Sequence, residues 1–218
     1  MDAGIRVTEL LGMFFSVAAW LCLLATTFMS WLTLSTDLLQ TESYQLGLWE
    51  SCVIQDLGGM ECRGYDSLLG LPHDIKLARI LMCTAIAIGV LGLLLPIPGL
   101  YLVKTCKGHE GERSKRILKV LGGLFSCLAG VICLVPVSLM AHETVLRFWD
   151  ETLPDIVPRF EFGDALFCGW AAGFLHIVGG ILLISSYCCF RQNSGANPPR
   201  SQEKRGLDHS SKKRMEYV

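Results

Sequence analysis

Four stretches of this chain contain no Asp, Glu, Lys or Arg: residues 10–29, 80–103, 120–141 and 165–190, the last interrupted only by His176. At about 1.5 Å of rise per residue, twenty helical residues cross a hydrocarbon core about 30 Å thick. Four transmembrane helices are therefore expected. A run of that length could be one buried helix of a soluble protein, but four of them, each bounded by charge, exceed the usual globular helix. None shows the alternation of a membrane strand. The 218 residues are 18% charged, against about 25% in soluble domains, so charge is crowded into the connecting segments. That distribution excludes a disordered chain, a collagen-like fibre and a basic nucleic-acid binder.

The spans divide the chain into an N-terminal segment 1–9, a long loop 30–79, a middle loop 104–119, a second loop 142–164 and a tail 191–218. The start of the chain leads into the first run without a small-residue cleavage site, so that run reads as a retained signal-anchor. Segments 1–9, 104–119 and 191–218 carry 14 of the 19 bases, so the positive-inside rule puts both termini and the middle loop in the cytoplasm. Loops 30–79 and 142–164 face outward, with five bases against thirteen acids.

The first outer loop reads as strand. Trp31-Leu32-Thr33-Leu34 and Gln45-Leu46-Gly47-Leu48-Trp49 are β-prone, and Asp56-Leu57-Gly58-Gly59 is a turn signal between Cys52 and Cys62. Two cysteines across a hairpin turn on the oxidising side point to a disulfide. Closing so short a loop contributes about 2–3 kcal/mol on a chain-entropy estimate. A zinc site has less to build on, since only two thiols are present and neither belongs to a CxxC pair. Trp31, Trp49, Phe148, Trp149 and Phe160 are large rings near the outer boundary. For Trp31 and Trp49, a headgroup-level belt or the loop's own core is the first reading. Phe148 and Trp149, adjacent in a short acidic loop, have the makings of interface anchors.

Trp31, Gly47-Leu48-Trp49, Cys52 and Cys62 together resemble the W…GLW…C…C signature of the claudin family. Topology, loop lengths and the terminal Tyr217-Val218 are similar along nearly the whole chain. The resemblance implies a membrane all-α four-helix bundle with a small antiparallel extracellular β-sheet. It implies a tight-junction strand component in the plasma membrane, mediating calcium-independent adhesion and forming a paracellular barrier or charge-selective pore. Other claudins, in cis and in trans, are the implied partners. Phe148, Trp149, Phe160 and Glu161 stand where claudins carry aromatic and charged contacts, with Trp149 in a place where tyrosine is usual. A different reading, a four-helix auxiliary subunit of an ion channel, shares the same signature. Such subunits commonly carry outer N-glycosylation sites, whereas the two asparagines, Asn193 and Asn197, both lie in the tail. Tetraspanins do not fit, because the second outer loop is short and cysteine-free.

Charge in the first outer loop bears on selectivity: Asp37, Glu42, Glu50, Asp56, Glu61, Asp66 and Asp74 oppose Arg63, Lys76 and Arg79. Screening confines an exposed charge to about 8 Å, so a few residues at a constriction decide, not the sum. Arg63, directly after the second cysteine, occupies a position where cation-pore claudins tend to carry an acid. Arg63, Glu61 and Asp66 are the selectivity candidates, with Arg63 expected to oppose cations.

Within the spans, Gly169-Trp170-Ala171-Ala172-Gly173 is a GxxxG pattern expected to pack inside the bundle. Pro96, Pro98 and Pro136 are expected to kink helices two and three. His176, with no acid in any span to partner it, reads as a neutral, hydrogen-bonded histidine. The tail is polar and ends in a valine suited to a PDZ groove, which in a claudin-like chain implies binding to zonula occludens scaffold proteins through Tyr217 and Val218. Cys106, Cys188 and Cys189 are juxtamembrane palmitoylation candidates, unmodified thiols being the alternative. No catalytic constellation is present: His142-Glu143-Thr144-Val145-Leu146 has leucine where HExxH needs its second histidine, and Cys188-Cys189 is not CxxC. Membrane lipids are the remaining partner, and no cofactor, metal or nucleic acid is implied.

Overall fold

The computed structural model describes residues 2–35, 42–55, 59–65, 67, 70–99, 109–149 and 160–195. Its four helices are α1 (Asp2–Phe28), α2 (His73–Leu94), α3 (His109–Phe148) and α4 (Asp164–Gly195). Each contains a segment long and apolar enough to cross a membrane. Five short strands, β1 (Ser30–Ser35), β2 (Glu42–Gly47), β3 (Glu50–Gln55), β4 (Met60–Gly64) and β5 (Glu161–Phe162), form one antiparallel sheet in the order β4-β3-β2-β1-β5. The sheet caps the end of the bundle where α1 and α3 finish and α2 and α4 begin.

The helices outrun the apolar stretches that announce them. A charged residue ends a hydrocarbon-compatible run, but it does not end a helix. α1 therefore starts well before Leu10, and α3, with 40 residues, passes Ala141 as far as Phe148. α2 differs at both ends from the span 80–103. It begins at His73, with Asp74 in its first turn favourable to the helix dipole. It stops at Leu94, followed by a short 3-10 turn at Ile97–Gly99. Pro96 and Pro98 therefore terminate α2 rather than kink it, because proline offers no N–H and its ring collides with the preceding turn. Pro136 lies inside α3 and is buried.

With lipid outside, helices gain little from burying leucine against leucine, and close backbone approach has to supply the packing. Glycines provide it in reciprocal pairs. A Cβ on Gly123 would meet Gly180 O at 2.8 Å, and one on Gly180 would meet Gly123 O at 2.5 Å. Seven residues along each helix, Gly130 and Gly173 repeat the arrangement at 2.7 and 3.2 Å. Gly12 and Gly179 do the same between α1 and α4, at 3.3 and 3.1 Å. The outward surface carries exposed Phe14, Leu21, Ile80, Leu128, Val131 and Phe174.

At the sheet end one core runs from helices into strands, joining Leu23, Trp31, Leu48, Met82, Val137 and Leu166. At the other end Glu9 of α1 and Lys119 of α3 form an ion pair with both side chains largely buried. Pairing in place offsets part of the cost of removing these charges from water.

Candidate functional site

Trp31 is the keystone between sheet and bundle. It is 2% exposed, and its indole Nε1 donates to Thr26 O at 2.9 Å, satisfying the one polar atom of a ring otherwise buried in apolar contacts. Its own carbonyl accepts from Gly163 N at 2.9 Å. Gly163 must be glycine for that approach, since a Cβ there would sit 2.4 Å from Ser30 O. The strand predicted through Trp49 stops at Gly47, and Leu48 and Trp49 form the corner between β2 and β3. Leu48 points into the core at 2% exposure, while Trp49 stays exposed.

Arg79 locks this corner down. Its Nε donates to Leu48 O at 2.7 Å, and its guanidinium carbon lies 5.0 Å from the Trp49 ring centre and 5.3 Å from that of Tyr65. The Tyr65 hydroxyl donates to Gly47 O at 3.2 Å. Burial pushes this phenol above its usual range, and the neighbouring guanidinium pulls it part of the way back. Among the described residues a carbonyl and two π-faces are what hold this nearly buried cation, and its Nη2 has no hydrogen-bond partner there. Sequence reasoning counted Arg79 only as a loop charge. No local signal marks this role, since Lys76 and Arg79 both precede the apolar run and the GLW corner lies far upstream in the sequence.

Cys52 and Cys62 are disulfide-bonded, and as direct partners across β3 and β4 their Cα atoms are 4.0 Å apart. Glu50 brings a carboxylate within 4.8 Å of both sulfurs, but two sulfurs joined to each other leave no thiolates for a metal. Strand alternation divides the β3–β4 hairpin into two faces. Glu61 opposes Val53 and Arg63 opposes Ser51, so this acid and this base stand two residues apart on one face, and the disulfide belongs to the other. All of β4 is exposed, and it forms one edge of the sheet. The two selectivity candidates therefore project from an accessible edge strand held by a covalent bond.

The candidate contact residues lie at the opposite side of the sheet and at the tip of α3. Phe148 ends α3 and Trp149 follows it, their rings in a T-shaped pair 5.7 Å apart, with Trp149 74% exposed. Phe160 is half-buried just before β5, and exposed Glu161 on β5 pairs with Thr33 of β1. Gly169 and Gly173 both face α3, where their Cβ positions fall against Val137 and Leu134, so the GxxxG pattern packs within the bundle. Cys188 and Cys189 lie near the end of α4. Asp66, Cys106, Tyr217 and Val218 lie outside the described residues.

The sequence matches the model of the PMP-22/EMP/MP20/Claudin family over residues 6–183. It is 32% identical to Claudin-3 of Rattus norvegicus over 206 residues, covering 93% of this chain and 86% of the relative. With Claudin-7 of Mus musculus it shares 32% identity over 214 residues, 96% and 97% of the two chains. With Claudin-4 of Chlorocebus aethiops the identity is 34% over 190 residues, 85% and 86% of the two.

Proposed function

Because the chain belongs to the PMP-22/EMP/MP20/claudin family, we propose that it works as a claudin of the tight junction, polymerising in the plasma membrane into strands that restrict or select paracellular solutes. The observation that carries this reading is a covalently braced sheet, seated on four membrane-length helices, that offers a fully exposed edge strand bearing Glu61 and Arg63. Both termini lie in the cytoplasm, a reading that the distribution of bases supports. Adhesion is calcium-independent and uses Phe148, Trp149, Phe160 and Glu161 toward other claudins in cis and in trans. Arg63 raises the barrier to cations, making the chain a seal or a weak anion path. Tyr217 and Val218 engage PDZ domains of zonula occludens scaffolds.

Expression in cells that lack tight junctions tests the core of the proposal. Freeze-fracture replicas of contacts between expressing cells are expected to show intramembrane strands. Surface expression with neither strands nor enrichment at contacts overturns it and favours an auxiliary channel subunit.

A further inference from the structure

Four residues from four helices meet well inside the apolar segments: Trp20 of α1, Gly89 of α2, Ser126 of α3 and His176 of α4. His176 is 1% exposed, and neither its Nε2 nor the buried Nε1 of Trp20 has a hydrogen-bond partner among the described residues. In a hydrocarbon interior, where no solvent can serve, such orphans call for a partner.

The two rings that carry the orphan nitrogens both pack against Gly89. A Cβ on Gly89 would lie 3.2 Å from Trp20 Cδ1, 3.5 Å from His176 Cε1 and 3.6 Å from His176 Nε2. Cδ1 and Cε1 are the ring atoms bonded to the orphan nitrogens, so the unpartnered edges of both rings border the notch left by the missing side chain. Their hydrogen-bonding characters are opposite. Ser126 Oγ lies 3.0 Å from His176 O and 3.2 Å from His176 Nδ1. The carbonyl can only accept, so the single hydroxyl hydrogen goes to it. Nδ1 must then carry its own hydrogen and donate it to Oγ. Nε2 is left as a bare acceptor, while Trp20 Nε1–H can only donate.

We propose that Trp20, the Gly89 notch and His176 form a buried binding site for one water molecule, which accepts from Trp20 Nε1–H and donates to His176 Nε2. A water suits the site because it can do both at once, and buried waters typically serve such otherwise unmatched groups. The bridge ties α1 to α4 across α2, and Ser126 extends the chain of hydrogen bonds to α3. Three helices, α1, α3 and α4, are then linked through one polar seam, with Gly89 of α2 lying against it.

The test uses the full-length protein in lipid bilayers. With tryptophan and histidine labelled with nitrogen-15, solid-state NMR should show polarisation transfer from water protons to Trp20 Nε1 and His176 Nε2. A high-resolution density map of the wild type should show a single peak within hydrogen-bond distance of both. Gly89→Ala fills the notch and is expected to abolish the transfer. Trp20→Phe removes only the donor, and should abolish transfer at His176 and lower the thermal midpoint by about 2–4 °C. If Gly89→Ala does not fold, the wild-type spectrum and Trp20→Phe decide. A nitrogen–nitrogen coupling showing a direct Trp20–His176 hydrogen bond, an absent water signal in the wild type, or transfer unchanged by the variants overturns the proposal.

Discussion

Arg79 shows how a single side chain can carry an element it does not belong to. It sits on α2, yet its partners are Leu48, Trp49 and Tyr65, all before the helix begins. Arg79→Met keeps the apolar stem and removes both the charge-assisted hydrogen bond, worth about 1.5–3 kcal/mol, and the stacking on two rings, worth about 0.5–2 kcal/mol. The expected result is a thermal midpoint several degrees lower and faster protease cleavage near Trp49, read on purified protein. An unchanged midpoint would mean that the corner holds without its cation. Arg63 is the opposite case, a charge exposed on an edge strand. Arg63→Asp changes the local charge by two units. For an ion about 6 Å away in screened water, that is an about threefold gain for sodium and an about threefold loss for chloride, hence an about ninefold rise in the sodium-to-chloride permeability ratio, measured by dilution potentials across an epithelial monolayer. No change would remove Arg63 from the account of selectivity. The disulfide was readable because spacing, turn and compartment all pointed one way. Arg79 was not, because its role depends on which rings the fold brings above it, and nothing local encodes that.

At the scale of elements, the four apolar runs locate the four helices and misplace their ends. Hydrophobicity reports where the lipid is, whereas helix ends respond to caps, prolines and the chain just beyond them. Ile80 starts an apolar run, but α2 has already turned twice by then; Val103 ends it, but Pro96 and Pro98 have already stopped the helix. Glycine spacing was legible only in part. The GxxxG at Gly169 and Gly173 was visible, but the pairing of Gly123 with Gly180 and of Gly130 with Gly173 requires knowing that α3 and α4 run side by side in opposite directions. Gly130→Leu tests that pairing. Its new Cβ would lie 2.7 Å from Gly173 O, a backbone atom that can yield only if the helices separate. The expected cost is at least about 3 kcal/mol, as for other severe overpacking. It should appear as retention in the endoplasmic reticulum and loss of a folded detergent-solubilised peak. Leu124→Ala, on the exposed neighbouring face, serves as the control that should change neither.

At the scale of the molecule, near-neutrality conceals segregation. The segments proposed to lie outside hold thirteen acids against five bases, and those proposed to lie inside hold fourteen bases against seven acids. Strands built from such units place acidic surfaces face to face across the gap between cells, and this repulsion has to be overcome by contacts that are not ionic. Phe148 and Trp149 suit that task, being exposed, adjacent and at the tip of the longest helix. Exposed rings contribute little to folding, so replacing both with alanine should leave surface expression unchanged and shift stability by no more than about 0.5 kcal/mol. Truncating aromatic anchors in an interface costs more than about 1 kcal/mol each. Across two residues that predicts an about thirtyfold weaker pairwise contact. In mixed cultures, cells expressing the double variant should fail to concentrate it at borders with wild-type neighbours, while wild-type pairs do so in the same dish. Border enrichment equal to wild type would show that adhesion is carried elsewhere, with the β5 edge at Glu161 as the next surface to alter.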